Sequence, residues 1–443
     1  MSQNNLSRRR ALGLGLGALV IGAAGCGGGG GGPKQPQAPA TTAAATEYTG
    51  PSVALKFWNG FTGGDGPVMK KLVDQFNAEH QNIQVSMNVY KWEDYYAKVP
   101  AAVSAGQGPD LGIMHVDSVA TNAARQVVLP LDDVANALSL TEADFSPPVW
   151  KAGVYKGARY SIPLDVHPLG MFYNKTVMKQ AGLDPEQPPK TGEDYLAALE
   201  ALKKAGIQGH WATPFPFTGS MQFGTLLYQN GGRLFADDAG VSRFAEDPGV
   251  QALTWLVDLI NKGYSPKNVG QDADFIALQN GKAAFNWNGI WSINTLKEIK
   301  NLEWGVAPLP QIGSKPAAWA GSHQFVVFKQ RTADQNKLTA AKVFINWISG
   351  HSLDWAKGGQ VPARKSIRDG AEFAALKEQA AIGTQIDNLY FLPSVAGIGD
   401  ASAVVDQAIN AAILLKKSPK DALTEAAPKA DKILEANRKK YGA

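Results

Sequence analysis

Cysteine is nearly missing from this chain: Cys26 is the only one among 443 residues, so no intramolecular disulfide can staple any part of it. Histidine is scarce as well, with 6 residues scattered singly. There is no HExxH pair, CxxC pair, EF-hand loop, P-loop or nucleophile elbow, so neither a metal nor a cofactor is expected, and no catalytic residue is singled out. Long apolar runs are lacking too. The longest, Ala11 to Ala24, is about 14 residues, short of the roughly 20 that a helix needs to cross a bilayer core. Strong charge of either sign is also absent, since the formal net charge is only +4. A chain this close to neutral gives no reason to expect a nucleic-acid partner.

What is present begins with an address. Arg8, Arg9 and Arg10, the apolar run and the small residues leading to Cys26 have the order of an export signal. Ser7 to Leu12 resembles the twin-arginine motif, with Ala11 in place of an aromatic, so both twin-arginine and general secretory export remain open. Ala23-Ala24-Gly25-Cys26 resembles a lipobox, in which the cysteine is lipidated and cleavage follows Gly25. Cleavage would remove the three arginines and no acid, taking the formal charge from +4 to +1. Residues 1–25 are therefore read as the signal, and 26–50, rich in Gly, Pro, Ala and Thr, as a flexible stalk that cannot bury enough apolar surface to order itself.

The remaining part, about 390 residues, is long enough for two domains with their own cores. Val53 to Asn59 reads as a buried strand, and Pro67 opens a helix whose apolar residues Val68, Leu72, Val73 and Phe76 recur at helical spacing. Ile83 to Val89 alternates like a strand, Glu93 to Gly106 is helix-like and Leu111 to Val116 is a further apolar strand. That alternation predicts an α/β layer structure with parallel pairing. Later come a strand at Leu169 to Tyr173 and a capping box at Thr191 and Asp194 opening a helix to Ala205. Further helices are predicted at 250–262, 334–348, 401–417 and 418–440. Aromatic residues stand beside Asn, Asp, Gln and Gly at segment ends, as a polyol site requires: rings stack on C–H faces while planar polar groups meet hydroxyls.

Phe57-Trp58-Asn59, Gly108-Pro109-Asp110, Pro163 with Tyr173-Asn174-Lys175, Asn288-Gly289-Ile290-Trp291, Gly305 to Pro310 and Val361-Pro362-Ala363-Arg364 follow one another in the chain. In that order they resemble the family 1 extracellular solute-binding proteins of ABC importers, over roughly residues 53 to 415. The resemblance implies a two-lobed periplasmic-binding-protein fold of type II, with three hinge crossings and a ligand cleft between lobes. It places the N-terminal lobe at 51–164 with 318–366 and the C-terminal lobe at 165–317 with 367–443.

Carried over by residue, the resemblance implies ligand contacts at Trp58, Asn59 and Asp65 in the first turn, then at Trp92 and Asp117. Asp165 and His167 follow at the first crossing, and Phe217 and Gln222 before the Asn230-Gly231-Gly232 turn. Asn288 and Trp291 come next, then Gly321, Ser322 and His323, and last Arg364. Asp65 and Asp117 have a competing reading as helix caps, Arg364 as a loop anchor, and Trp92 and Phe217 as core residues. The implied function is capture of a mono- or short oligosaccharide by a monomer held to the membrane through lipid on Cys26, for delivery to a permease and its ATPase. A phosphorylated polyol or glycerophosphodiester is the alternative, kept open by Lys91, His167, His323 and Arg364. A second alternative is an exported carbohydrate hydrolase, which would need two facing carboxylates.

Overall fold

A computed structural model describes residues 47–442; the export signal, the lipobox and Cys26 lie outside the described residues. The stalk expected to reach residue 50 ends sooner. Tyr48 is buried, its hydroxyl donates to the Pro51 carbonyl at 2.7 Å, and its own carbonyl accepts from Asn82 at 2.7 Å. An aromatic ring with a satisfied hydroxyl is enough to dock the chain at that point.

Two sheets carry the fold. The first runs in the order Ile83–Val89, Val53–Asn59, Leu111–His115, His323–Val327 and Ile162–Pro163. Its first three strands are parallel, as the strand–helix alternation predicts, and His323–Val327 runs antiparallel to Leu111–His115. The helices Gly66–Glu79 and Gln335–Gly350 bury Leu72, Val73, Phe76, Phe344 and Ile348 against it in one core.

The second sheet is built on Asp165–Asn174, ten residues buried without exception. Ala318–Gly321, Phe285–Gly289, Trp304–Ala307 and Val361–Pro362 all pair antiparallel with it. Thr218–Gln229, Asp247–Asn261 and Ile398–Ile413 cover this sheet and share a second large core with it. The Thr191–Asp194 capping box is present, with Thr191 Oγ1 accepting from the Asp194 N–H at 3.1 Å. Among the described residues no helix is long and apolar enough to cross a membrane.

The strand pairings shift one expected lobe boundary. Ala318–Gly321 was assigned to the N-terminal lobe but pairs with Pro168 and His167 in the second sheet, so that crossing falls at Ser322 rather than before 318. Val361 and Pro362 likewise pair with Val166 and Asp165. A strand buried on both faces carries no alternation, so its sequence gives no sign of which sheet it joins.

Candidate functional site

A cleft of about 530 Å³ opens between the two sheets at the carboxyl ends of the parallel strands. The turn after Val53–Asn59 brings Thr62, Gly63, Gly64 and Asp65 to it, and the following strands bring Trp92 and then His115 to Asp117. The second lobe supplies Phe217, Met221, Trp291, Trp319, Phe391 and Leu392. His167 and His323 lie at the crossings between them.

Backbone and side chain cooperate to aim the rings. A Cβ on Gly289 would lie 2.0 Å from the Trp291 indole, and one on Gly60 would lie 2.1 Å from that of Trp92, so each indole lies over a peptide only glycine leaves bare. Phe217 is more unusual still. It holds φ +77°, ψ −103° at the start of Thr218–Gln229, in a region non-glycine residues rarely adopt, and its side chain is 56% exposed. Its ring lies 5.0 Å from that of Trp291. Strain and exposure together in one aromatic residue mark a position held for something other than packing.

The carboxylates differ in role. Asp65 occupies the N-cap position of Gly66–Glu79 but makes no side-chain cap bond, and its Oδ1 is buried without a partner. Burial raises its pKa, against the opposing charge of His323. Asp117 opens into the cleft from the first turn of Val116–Ala124, whose N-cap is His115, and its enclosure by the cleft walls raises its pKa also. The helix-cap reading therefore gives way for Asp65, which keeps an acceptor oxygen free, whereas Asp117 lies inside the first turn and not at its N-cap.

Asp165 faces inward instead of lining the cleft. Its carboxylate accepts from His167 Nδ1 at 3.2 Å, from His323 Nδ1 at 2.7 Å, from the His323 amide at 3.0 Å and from Trp355 Nε1 at 2.7 Å. Burial alone would raise this group, but the charge of His323 and the two histidine hydrogen bonds outweigh it and hold Asp165 well below the usual carboxylate range. Burial pushes His167 down to about 4, with the charge of His323 acting in the same direction. Because an ionised carboxylate only accepts, both Nδ1 atoms carry the hydrogen, and His167, neutral above that value, keeps a lone pair on Nε2.

Of the expected contacts, Asp65, Trp92, Asp117, His167, Phe217, Trp291, Gly321 and His323 line the cleft. The others do not, and each has another partner. Trp58 packs on Tyr90 at 4.9 Å, and Asn59 Oδ1 accepts from the Phe61 amide at 3.1 Å, shaping the turn. Gln222 donates to the Trp287 carbonyl at 3.0 Å, Asn288 donates to Asn286 Oδ1 at 3.1 Å, and Ser322 donates to the Asp165 carbonyl at 2.6 Å. Arg364 donates to Ser349 at 2.6 Å and Asn346 at 3.1 Å, as the loop-anchor reading has it. Lys91 is absent from the lining too.

Tyr96, Gln360, Phe391 and Leu392 line the cleft without having been expected, while Trp319, implied in one cluster with Gly321 to His323, and His115, a weaker candidate beside Asp117, line it too. Tyr96 lies one helical turn after Trp92, the spacing at which two rings share a face, and their centroids are 5.8 Å apart. Trp319 lies on the strand Ala318–Gly321, two residues before Gly321. Phe391 and Leu392 follow a two-residue strand with no periodic signal.

Three comparisons bear on this geometry. The family model described as bacterial extracellular solute-binding protein matches residues 71–381. The sn-glycerol-3-phosphate-binding periplasmic protein of Escherichia coli K12 is 25% identical, over 86% of this chain and 92% of that protein. Its counterpart in Pectobacterium atrosepticum is 27% identical, over 74% and 70%. Among solved structures, the cyclic alpha-maltosyl-1,6-maltose binding protein of Arthrobacter globiformis is 25% identical with a TM-score of 0.75, covering 87% of this chain and 100% of that one. The GacH receptor of Streptomyces glaucescens, solved unliganded and with acarbose, gives a TM-score of 0.77 at 21% identity, over 87% and 99%, and shares the two-lobed fold.

Proposed function

The chain belongs to the bacterial extracellular solute-binding proteins, and from that premise we propose that it captures a mono- or short oligosaccharide in the interlobe cleft for an ABC importer. The observation that carries this reading is the composition of the cleft. Trp92, Tyr96, Phe217, Trp291, Trp319 and Phe391 offer ring faces, Asp65 and Asp117 offer free acceptors, and the lining holds neither lysine nor arginine. Rings and carboxylates suit a neutral polyol, whose C–H faces stack and whose hydroxyls donate. The relative from Arthrobacter globiformis is named for binding a cyclic maltosyl-maltose.

The curated relatives are named for sn-glycerol-3-phosphate, and that is the alternative ligand class. A phosphate would need cationic or N–H donors. Arg364 is committed to Ser349 and Asn346, and His167, held neutral by burial, offers a lone pair rather than a donor at Nε2, so the donor set favours the neutral sugar. Ligand contacts reaching both lobes would draw them together, and only affinity that differs between open and closed forms can shift that balance. A micromolar dissociation constant is about −8.2 kcal/mol, within reach of several ring stacks and charged hydrogen bonds after ordering costs.

In this reading the side chains act by binding alone, the partners are a membrane permease with its ATPase, and lipid on Cys26 holds a monomer at the outer face of the membrane. Calorimetry against maltose-type sugars, monosaccharides and glycerol 3-phosphate, with product analysis of each mixture, tests it. Sugar binding without product is expected. Binding of glycerol 3-phosphate alone, or turnover of a glycan, would replace the reading with one of its two alternatives.

A further inference from the structure

Half of the chain's few histidines meet in one place. His115, His167 and His323 each offer a ring nitrogen, and the three nitrogens lie within 4.8 Å of one another at the floor of the cleft. Backbone register fixes this meeting. His323 stands directly opposite His115 across antiparallel strands, and His167 stands opposite Gly321, two residues before His323. A Cβ at Gly321 would come within 2.2 Å of His167 Nε2, so glycine is what leaves that nitrogen room over the peptide.

Each ring is also oriented from behind. Asp165 takes Nδ1 of both His167 and His323, and Nδ1 of His115 lies 2.9 Å from the Tyr96 hydroxyl, which also accepts the His115 amide at 2.8 Å. This leaves Nε2 of each ring as the coordinating atom. A carboxylate behind the distal nitrogen is the usual support of a metal-bound imidazole, fixing its tautomer and raising its basicity. The surrounding charge favours a cation: Asp65 and Asp117 line the same cleft without lysine or arginine, and Asp65 Oδ1 is buried without a partner.

We propose that His115, His167 and His323 form a site for one divalent transition-metal ion of the zinc class, with at least one coordination position open to the cleft. Imidazole is a ligand that such ions favour, and three histidines with an open position are a known zinc arrangement. Zinc–nitrogen bonds of about 2.0–2.1 Å place tetrahedral ligand nitrogens about 3.3 Å apart, so the rings must converge by roughly an ångström or more. His115, on the first lobe and only half-buried, and His167, on the second lobe's sheet, approach from opposite sides of the hinge, so the ion ties the two lobes together. The open position takes an oxygen ligand, either water or a solute hydroxyl or carboxylate.

The inference does not depend on the sugar reading, and its test is run without sugar. Tag-free full-length protein, stripped with a chelator and dialysed, is titrated with zinc chloride by calorimetry and with cobalt chloride by visible absorption. One equivalent bound at micromolar affinity or tighter is expected, with a cobalt spectrum of low coordination number. His115→Gln should weaken binding at least tenfold, as should His167→Gln and His323→Gln, and Asp165→Asn should cost about 10- to 100-fold through lost orientation. His80→Gln, at a residue stacked on Phe76 away from the cleft, should bind as the wild type does. If the buried variants fail to fold, His115→Gln decides alone. Failure of folded wild-type protein to take up one equivalent, or unchanged affinity in His115→Gln, would overturn the proposal while leaving sugar binding to stand on its own measurement.

Discussion

The two walls of the cleft are made of different materials. The first lobe contributes both lining carboxylates, Asp65 and Asp117, whereas the second contributes Phe217, Met221, Trp291, Trp319, Phe391 and Leu392 and not one charged side chain. Stacking surfaces give affinity that tolerates rotation about the ring normal, while a carboxylate rewards only the hydroxyl that reaches it. The second wall is therefore suited to holding a ring, and the first to reading which hydroxyls it presents. Division of this kind makes affinity and selectivity separable by mutation.

The largest effect is expected where the walls meet. Asp165→Ala removes the acceptor shared by His167, His323 and Trp355, and loss of a buried charged hub of this kind costs about 3–5 kcal/mol; a melting-temperature drop of under 2 °C would show that the hub is dispensable. Next comes acid. His210 is buried in the second lobe with Nδ1 2.6 Å from the Tyr195 hydroxyl, and burial pushes it down to about 4 despite a hydrogen bond with Gln222. The unfolded chain, with a histidine pKa near 6.5, protonates first as pH falls, so this stability is complete above about pH 6.5 and is lost progressively towards pH 4, by at most about 3 kcal/mol. Chemical denaturation from pH 7 to 4 should show that slope, and His210→Gln should make it shallower by the share His210 carries while leaving the share of the buried His167.

Smaller effects separate the walls. Trp291→Ala should weaken every bound sugar by tenfold or more, since a buried stacking ring carries part of each. Asp117→Ala should cost about 1.5–3 kcal/mol for sugars whose hydroxyls it accepts and less for their epimers. Equal losses across epimers, measured by calorimetry, would erase the distinction between holding and reading. Phe217→Gly should relax the φ +77° backbone and leave the melting temperature unchanged or higher while affinity falls severalfold. Arg364→Ala should leave sugar affinity within twofold, because its donors serve Ser349 and Asn346.

Much of this was legible in the chain before any coordinates. Val53–Asn59 and Ile83–Val89 fall within their predicted bounds because buried and exposed residues alternate along each, and glycine and proline mark the turns beside the first. Half of Asp165–Asn174 escaped notice. Its fully buried pattern has no period, and Pro168, which has no N–H to give a ladder, stands within it. The site divided similarly. Trp92, Asp117, Trp291 and His323 line the cleft at positions the family resemblance implied. Asn59, Gln222 and Ser322 stand beside such ends but spend their polar atoms on the backbone, which spacing cannot disclose. The pairing of His115 with His323 across more than 200 residues belongs to register alone.

Asp165 also sets a mechanical rule. The first crossing ends at this residue, the second reaches it through Ser322 and His323, and the third through Trp355 and the pairing with Pro362. All three strands of the joint thus meet at one residue, held partly through its backbone and partly through its carboxylate. Sliding one lobe along the other would tear several of these bonds at once. The angle between the lobes is then the quantity in which a bound solute would be announced to whatever docks on them.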